Sequence, residues 1–443
     1  LVGDRLSTLM ILLTAVLALF VILYAIGSGW DKRGWHFHAL FQFQLMGIMG
    51  AFLTGDVFNL FVFFEVLLIA SYGLMIHGGG NLRLRAGVQY VLFNLLGSTL
   101  FLFALGAIYA ETGTLNMADL AQRVALIDPA ESVGIRIASV MLLLVFAIKA
   151  AVVPLHFWLP SSYAEAPAPV AALFAIMTKV GAYAIIRVYT MVFAPDLDVT
   201  AGLHGLWLLP AALVSLALGM IGVLAARKLD RLVAFAVIGS MGMVMISISL
   251  FSQAGIAAAL YYIVHSTLAA AALFLICDLV RAGRAHLNLT AAPPVSGAAV
   301  TAALFFVAAI AMTGLPPLSG FVGKLMILDA AFDTPLAVWT WAIILSASLV
   351  SVVGFARAGS VLFWKASAET LPEHEGQLPS PRPSVLSYAA VGGLLSLLIL
   401  HTVFAGPAYR YADATAKQLF DPAPYISKVL GTPGKLSTPK EGH

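Results

Sequence analysis

Charge is what this sequence has least of. Only 10% of its 443 residues are Asp, Glu, Lys or Arg, whereas 61% are hydrophobic, and mean hydropathy is +0.97. A soluble globular domain carries about 25% charge, so the composition excludes that class and describes an all-α, polytopic membrane protein. Cysteine is the next scarcity. Cys277 stands alone, which excludes an internal disulfide framework and a cysteine-based metal centre. Set in LFLICDLV, it reads as inert packing. Basic stripes are missing too: a formal net charge of +3 is scattered over short loops, and nothing points to nucleic acid. Phosphate cradles are absent, because Gly78-Gly-Gly80 has no Gly-Lys-Ser/Thr beside it and reads as a turn. No redox cofactor motif occurs, so no cofactor is expected. The phenylalanines between Phe41 and Phe64 read as lipid-facing or helix-facing packing.

What fills the chain is apolar runs of about bilayer length. Twelve are expected, near 6–26, 38–54, 56–77, 86–111, 134–158, 165–193, 204–226, 230–252, 256–281, 296–331, 335–363 and 386–406. Short loops join them, so residues 1–406 read as one transmembrane domain and 407–443 as a loose polar tail. The first run lacks a basic leader and a small-residue cleavage site, and reads as a retained helix. The chain starts at Leu1 and not Met, so an N-terminal portion is expected to be missing. Lys32, Arg33, Arg83, Arg85, Arg227, Lys228, Arg231, Arg281, Arg284, Lys365 and Arg382 gather in the loops of one side. The positive-inside rule makes that side cytoplasmic, with Leu1 and the C-terminal tail outside.

Two runs carry interruptions. One reads Lys149-Ala-Ala-Val-Val-Pro154-Leu-His-Phe-Trp-Leu-Pro160, the other Thr313-Gly-Leu-Pro316-Pro317-Leu-Ser-Gly320-Phe-Val-Gly-Lys324. Proline removes a backbone donor and clashes with the preceding turn. Unwound backbone at membrane depth persists only where protein or a watery cavity covers it. Matched interruptions in two halves are the mark of inverted-repeat transporters; the halves would be about 38–193 and 204–363. Simple proline kinks that aid packing are the plainer alternative.

Four charges sit inside apolar runs: Glu65, Lys149, Lys179 and Lys324. Such residues are expensive in lipid, and they line pathways or pair with each other. Glu65 lies about 14 Å along its helix and Lys179 about 21 Å along its own, near mid-bilayer. A Glu65–Lys149 pair would act as a switch, holding the lysine's proton when closed and releasing it when open. Each charge also has a purely structural reading, as a fixed ion pair or a lysine snorkelling to the interface. His265, in the middle of its run, can relay protons or serve as a hydrogen-bonded core group. His156, His401 and Asp278 are secondary candidates. Asp329 lies near a span end, and His36, His38 and His77 read as interfacial.

Three segments carry a family resemblance: TGDVFNLFVFFEVLLIASYGLM, FAIKAAVVPLHFWLPSSYAEAPAPVAALFAIMTKVGAYAIIR and TGLPPLSGFVGKLMIL. Together they resemble the antiporter-type, proton-translocating subunits of respiratory complex I, and more closely the D-type subunits of the Mrp-type multisubunit monovalent cation/proton antiporters. The likeness extends to about residue 405. It implies fourteen helices, including two five-helix inverted repeats each with a broken helix, and since twelve are counted here two N-terminal helices would be missing. It implies a gating pair at Glu65 and Lys149, a central lysine at Lys179, a terminal charged residue at Lys324 and, less firmly, a relay at His265. Lysine at 324 leans toward the Mrp type, since one complex I subunit has glutamate there. The implied partners are the other antiporter subunits (of types A, B, C, E, F and G), the lipid of a prokaryotic inner membrane, protons, and sodium or potassium. The alternatives are a pumping subunit of a complex I-like oxidoreductase or hydrogenase, and a membrane scaffold that transports nothing.

Overall fold

Local capping chemistry sets where the apolar runs become helices. Asp4 accepts the Ser7 backbone N–H at 2.9 Å and starts α1 (Arg5–Ser28). Asp56 does the same for Asn59 at 2.8 Å, ahead of α3 (Val57–Met75). Such caps satisfy donors that a helix start leaves unpaired. Glycines in the left-handed region close two helices. Gly29 (φ 71) follows α1, and Gly113 (φ 69) follows α4 (Asn81–Thr112).

The computed structural model describes residues 1–284, 286–292, 297–365 and 383–431, with His204 described by its backbone alone. Among them every regular element is helical. Between and after the helices already named come α2 (Phe37–Leu53), α5 (Met117–Ala125), α6 (Val133–Lys149), α7 (Trp158–Glu165), α8 (Ala168–Met191), α9 (Leu203–Ala225), α10 (Leu229–Ser249), α11 (Gln253–Arg284), α12 (Ala298–Thr313), α13 (Ser319–Ala330), α14 (Ala337–Gly359) and α15 (Val385–Val403). Among the described residues, nine helices are long and apolar enough to cross a membrane. The other expected spans fall short because α2 has only 17 residues and two runs are split, into α6–α7 and α12–α13.

The tail differs from expectation. It forms two further helices, α16 (Ala405–Leu419) and α17 (Ala423–Leu430). Ala412, Thr415, Ala416 and Leu419 of α16 are buried, and α16 packs on α11. The reason is amphipathic spacing: these residues recur every three or four positions and make one helix face. Residues 432–443 of the expected tail, and Arg382 of the basic side, lie outside the described residues.

Three helices form the centre. Every residue of α8 is buried, and α10 and α11 are nearly so. By contrast α4 turns Val88, Leu92, Leu95, Leu96, Leu102 and Phe103 outward, as a lipid-facing helix must. Backbones approach closely where side chains are small: a Cβ on Gly219 of α9 would lie 2.4 Å from the Gly239 amide nitrogen of α10. Close backbone approach is how membrane helices associate without a hydrophobic drive between them.

Both interruptions contain a left-handed residue. Ala151 (φ 54) follows α6 and Gly314 (φ 70) follows α12. For Ala151 this conformation costs roughly 1–2 kcal/mol, which packing around the break must offset. Pro154 and Pro317 follow cis peptide bonds.

Candidate functional site

Lys149 and Lys324 flank the two breaks, Lys179 lies on a helix packed against the first, and Glu65 lies on α3, reached through α4. Lys149 is the last residue of α6 and is 5% exposed. Its ammonium donates to Asn94 Oδ1 at 3.3 Å and to the Asn94 carbonyl at 3.5 Å. One turn further along α4, the Ser98 hydroxyl donates to Glu65 Oε1. Glu65 itself is half-buried on α3. Among the described residues no ion pair within 4.0 Å joins Glu65 to Lys149. The two groups suggested as a switch pair are connected through Asn94 and Ser98 of α4.

Lys179 lies deeper. It is fully buried on α8, and its ammonium makes no hydrogen bond to protein. Two residues on, Gly181 presses α8 against the first break. A Cβ there would stand 2.7 Å from the Ala150 amide nitrogen and 3.1 Å from the Lys149 carbonyl carbon. The break, Lys149 and the helix bearing Lys179 are therefore in direct contact.

α8 packs on α11, which carries His265 to the second break. The His265 ring is fully buried. Its Nδ1 shares a 2.9 Å hydrogen bond with Ser319 Oγ at the start of α13, and its Nε2 has no protein partner. Gly320 makes room for the ring: a Cβ there would lie 2.8 Å from Nε2 and 2.2 Å from the Ala311 carbonyl. The charged and titratable groups acting on the imidazole are His401, Lys324 and Lys179.

Lys324 is 7% exposed on α13. It donates to the Thr313 carbonyl at 2.6 Å and to Ser348 Oγ of α14 at 2.8 Å. Thr313 ends α12, so the ammonium sits on the negative end of a half-helix. Cations are favoured there because the last carbonyls lack intrahelical partners. Buried ammonium groups need such acceptors.

Of the secondary candidates, His401 and His156 lie beside these residues and Asp278 lies apart. The His401 ring stacks on Tyr261 of α11 with centroids 4.1 Å apart, and its Nε2 lies 3.2 Å from the Tyr261 carbonyl. His156 is half-buried within the first break, its ring 4.5 Å from that of Phe157. Asp278 accepts from Tyr24 at 3.0 Å and from Trp30 at 2.9 Å, which ties α11 to α1 and to the turn that follows it. That is a brace between helices at one end of the bundle. Asp329 is exposed.

Sequence reading missed four polar partners. They are Asn94, Ser98, Ser319 and Ser348, uncharged residues that do not stand out in apolar runs. The spacing of Asn94 and Ser98 was the available signal: positions i and i+4 share a helix face. It also missed a buried ion pair at the far end of α8. Arg187 grips Asp4 through two hydrogen bonds, 2.5 and 2.8 Å, and reaches Ser7 Oγ at 3.2 Å.

The model of the NADH:quinone oxidoreductase/Mrp antiporter transmembrane family matches residues 54–352. The chain is 39% identical to the D-type subunit of a probable K(+)/H(+) antiporter of Rhizobium meliloti (strain 1021), covering 98% of this chain and 84% of the relative. It is 40% identical to the D-type subunit of the Na(+)/H(+) antiporter of Bacillus subtilis (strain 168), covering 97% and 85%. Among solved structures it is similar to a chain of the Mrp complex from Dietzia sp. DQ12-45-1b, with a TM-score of 0.86 and 27% identity over 97% of this chain and 86% of that one. It is also similar to a chain of respiratory complex I from Thermus thermophilus, with a TM-score of 0.76 and 27% identity over 94% and 85%. The chain belongs to the membrane-protein family that NADH:quinone oxidoreductase and the Mrp antiporters share.

Proposed function

We propose that this chain is the proton- and cation-translocating membrane subunit of a multisubunit Na(+) or K(+)/H(+) antiporter. Protons move along a buried line through Glu65, Lys149, Lys179, His265 and Lys324. One observation carries the reading. Five titratable residues lie at or beside the two broken helices, and those breaks are joined by the buried pair α8 and α11. A proton bound at one site repels charge at the next, so pairing at one end pushes a proton onward. His156 and His401 lie beside this line and are secondary candidates.

The subunit works within an assembly of other antiporter subunits in a prokaryotic inner membrane. The relatives named as D-type antiporter subunits support this. Within the chain, the reading places ten of twelve spans in two five-helix inverted repeats near 38–193 and 204–363, each with one broken helix. Two isolated backbone bridges support the division. Asp56 pairs with Asn116, and Lys228 pairs with Asn288, at the same separation along the chain.

The bridges also support inversion. α3 starts at Asp56 and ends near His77, whose ring holds the Trp30 carbonyl. Trp30 binds Asp278, and Arg281, in the same last stretch of α11, pairs with Asp230 at the start of α10, 3.2 Å away. These contacts link the end of α3 to the start of α10, which supports assigning the two bridges to opposite faces of the membrane. The basic side is cytoplasmic on this reading, and Leu1 and the tail are outside.

A complex I-like pumping subunit is the nearest alternative. Lysine at 324 and relatives named as antiporter subunits favour the first reading. The test is Glu65→Ala or Lys149→Ala in an intact complex, with cation-dependent proton flux measured in vesicles. Loss of flux is expected. Wild-type flux with normal assembly would sink the proposal.

A further inference from the structure

Asn94 and Ser98 of α4 are one turn apart, on the face that looks toward both Glu65 and Lys149. Their chemistry is matched to their neighbours. The Asn94 amide nitrogen donates to the Tyr90 carbonyl at 2.9 Å, which turns Oδ1, an acceptor, toward the Lys149 ammonium. The Ser98 hydroxyl offers a donor to the Glu65 carboxylate. The lysine lies close along this face of α4: a Cβ on Gly97, between them, would stand at ordinary contact distance, 3.6 Å, from both its Cε and its Nζ. An ammonium and a carboxylate within electrostatic reach of one another in a dry interior attract strongly, yet no ion pair within 4.0 Å joins these two.

We propose that Asn94 and Ser98 are positioning residues that hold Lys149 and Glu65 apart, so that α4 sets when the acid–base pair closes. This rests on the reading of Glu65 and Lys149 given above. The open state has the lysine on the Asn94 amide and the carboxylate on the Ser98 hydroxyl. Closing requires the ammonium to leave Asn94 Oδ1 for Glu65, exchanging one acceptor for another with no covalent bond made or broken. A small displacement of α4 changes both hydrogen bonds together, because both partners ride on one helix turn. The amide and hydroxyl carry no proton across; they fix where the exchange starts.

The test uses the assembled complex in vesicles, with sodium or potassium driving proton flux. Asn94→Leu removes the acceptor at near-constant volume. Flux is expected to fall about tenfold, the worth of one lost charge-assisted hydrogen bond. An electron cryo-microscopy map of that variant should place Lys149 Nζ within ion-pair distance of Glu65. Ser98→Ala should lower flux similarly, whereas Ser98→Thr, which keeps the hydroxyl, should restore it. If Asn94→Leu does not assemble, the serine pair decides alone: equal flux from Ser98→Ala and Ser98→Thr overturns the proposal. So does a map of Asn94→Leu in which Lys149 has not moved while flux is unchanged. Loss of the wider reading would look different, since Glu65→Ala itself would then leave flux at the wild-type level.

Discussion

The Lys324 ammonium lies 2.6 Å from the Thr313 carbonyl, bridging the second break from its far side. Thr313 ends one half-helix and Lys324 lies on the next, so a single hydrogen bond ties together the two pieces of an interrupted span. The charge also faces Ser348 of α14 at 2.8 Å. Lys324→Met keeps the length and removes the donor. It strands a buried carbonyl and should destabilise the protein by about 1–3 kcal/mol, while lowering flux. Unfolding monitored in detergent, beside flux in vesicles, checks both parts.

The glycines at the breaks give a steric prediction. Gly320→Ala drives a Cβ to 2.2 Å from the Ala311 carbonyl and 2.8 Å from His265 Nε2. Backbone cannot yield that much, so assembly or flux should fail. Gly181→Ala, 2.7 Å from the Ala150 amide nitrogen, should behave alike at the first break. Gly106→Ala meets nothing within 4 Å and serves as the control. It should leave assembly unchanged, or raise stability slightly through helix propensity.

Asp4 supplies a pH dependence. Burial pushes its carboxyl up, but the hydrogen bond and charge of Arg187, with help from Ser7, outweigh burial and hold it below the usual carboxylate range. A depressed carboxylate contributes stability that is present above its unfolded value and is lost as pH falls through its folded value. The N-terminal end of α1 should therefore loosen only in strong acid, below about pH 4. Asp4→Asn should remove that acid transition and cost about 3–5 kcal/mol at neutral pH, since it strands the buried Arg187. Thermal unfolding across pH 3 to 7 measures both.

Much of the site was legible because charge in an apolar run is conspicuous. Glu65, Lys149, Lys179 and Lys324 stand out against their surroundings, and Pro154, Pro316 and Pro317 mark the breaks by removing donors. Helix positions followed from run length. The partners were not legible. Asn94 and Ser98 are neutral, and nothing local says that they face a lysine from a helix some fifty residues away in the chain. A Glu65–Lys149 switch was suggested by charge alone, whereas whether the two touch is not legible in a sequence; the packing sets Asn94 and Ser98 of α4 beside them. The α16 helix was obscured because its tail is polar overall, and only the spacing of Ala412, Thr415, Ala416 and Leu419 reveals its buried face.

Lys179 gives the most direct test of a proton line. Its ammonium is fully buried and makes no hydrogen bond to protein, so it holds nothing together. An apolar side chain of similar size removes the desolvation cost of an ionisable group that no partner satisfies. The decisive measurement is cation-dependent proton flux in vesicles carrying the assembled Lys179→Met complex, with its melting temperature taken on the same preparation. The account predicts an unchanged or higher melting temperature together with flux reduced at least about tenfold, a barrier increase of about 1.4 kcal/mol. Wild-type flux from that stable complex would contradict it.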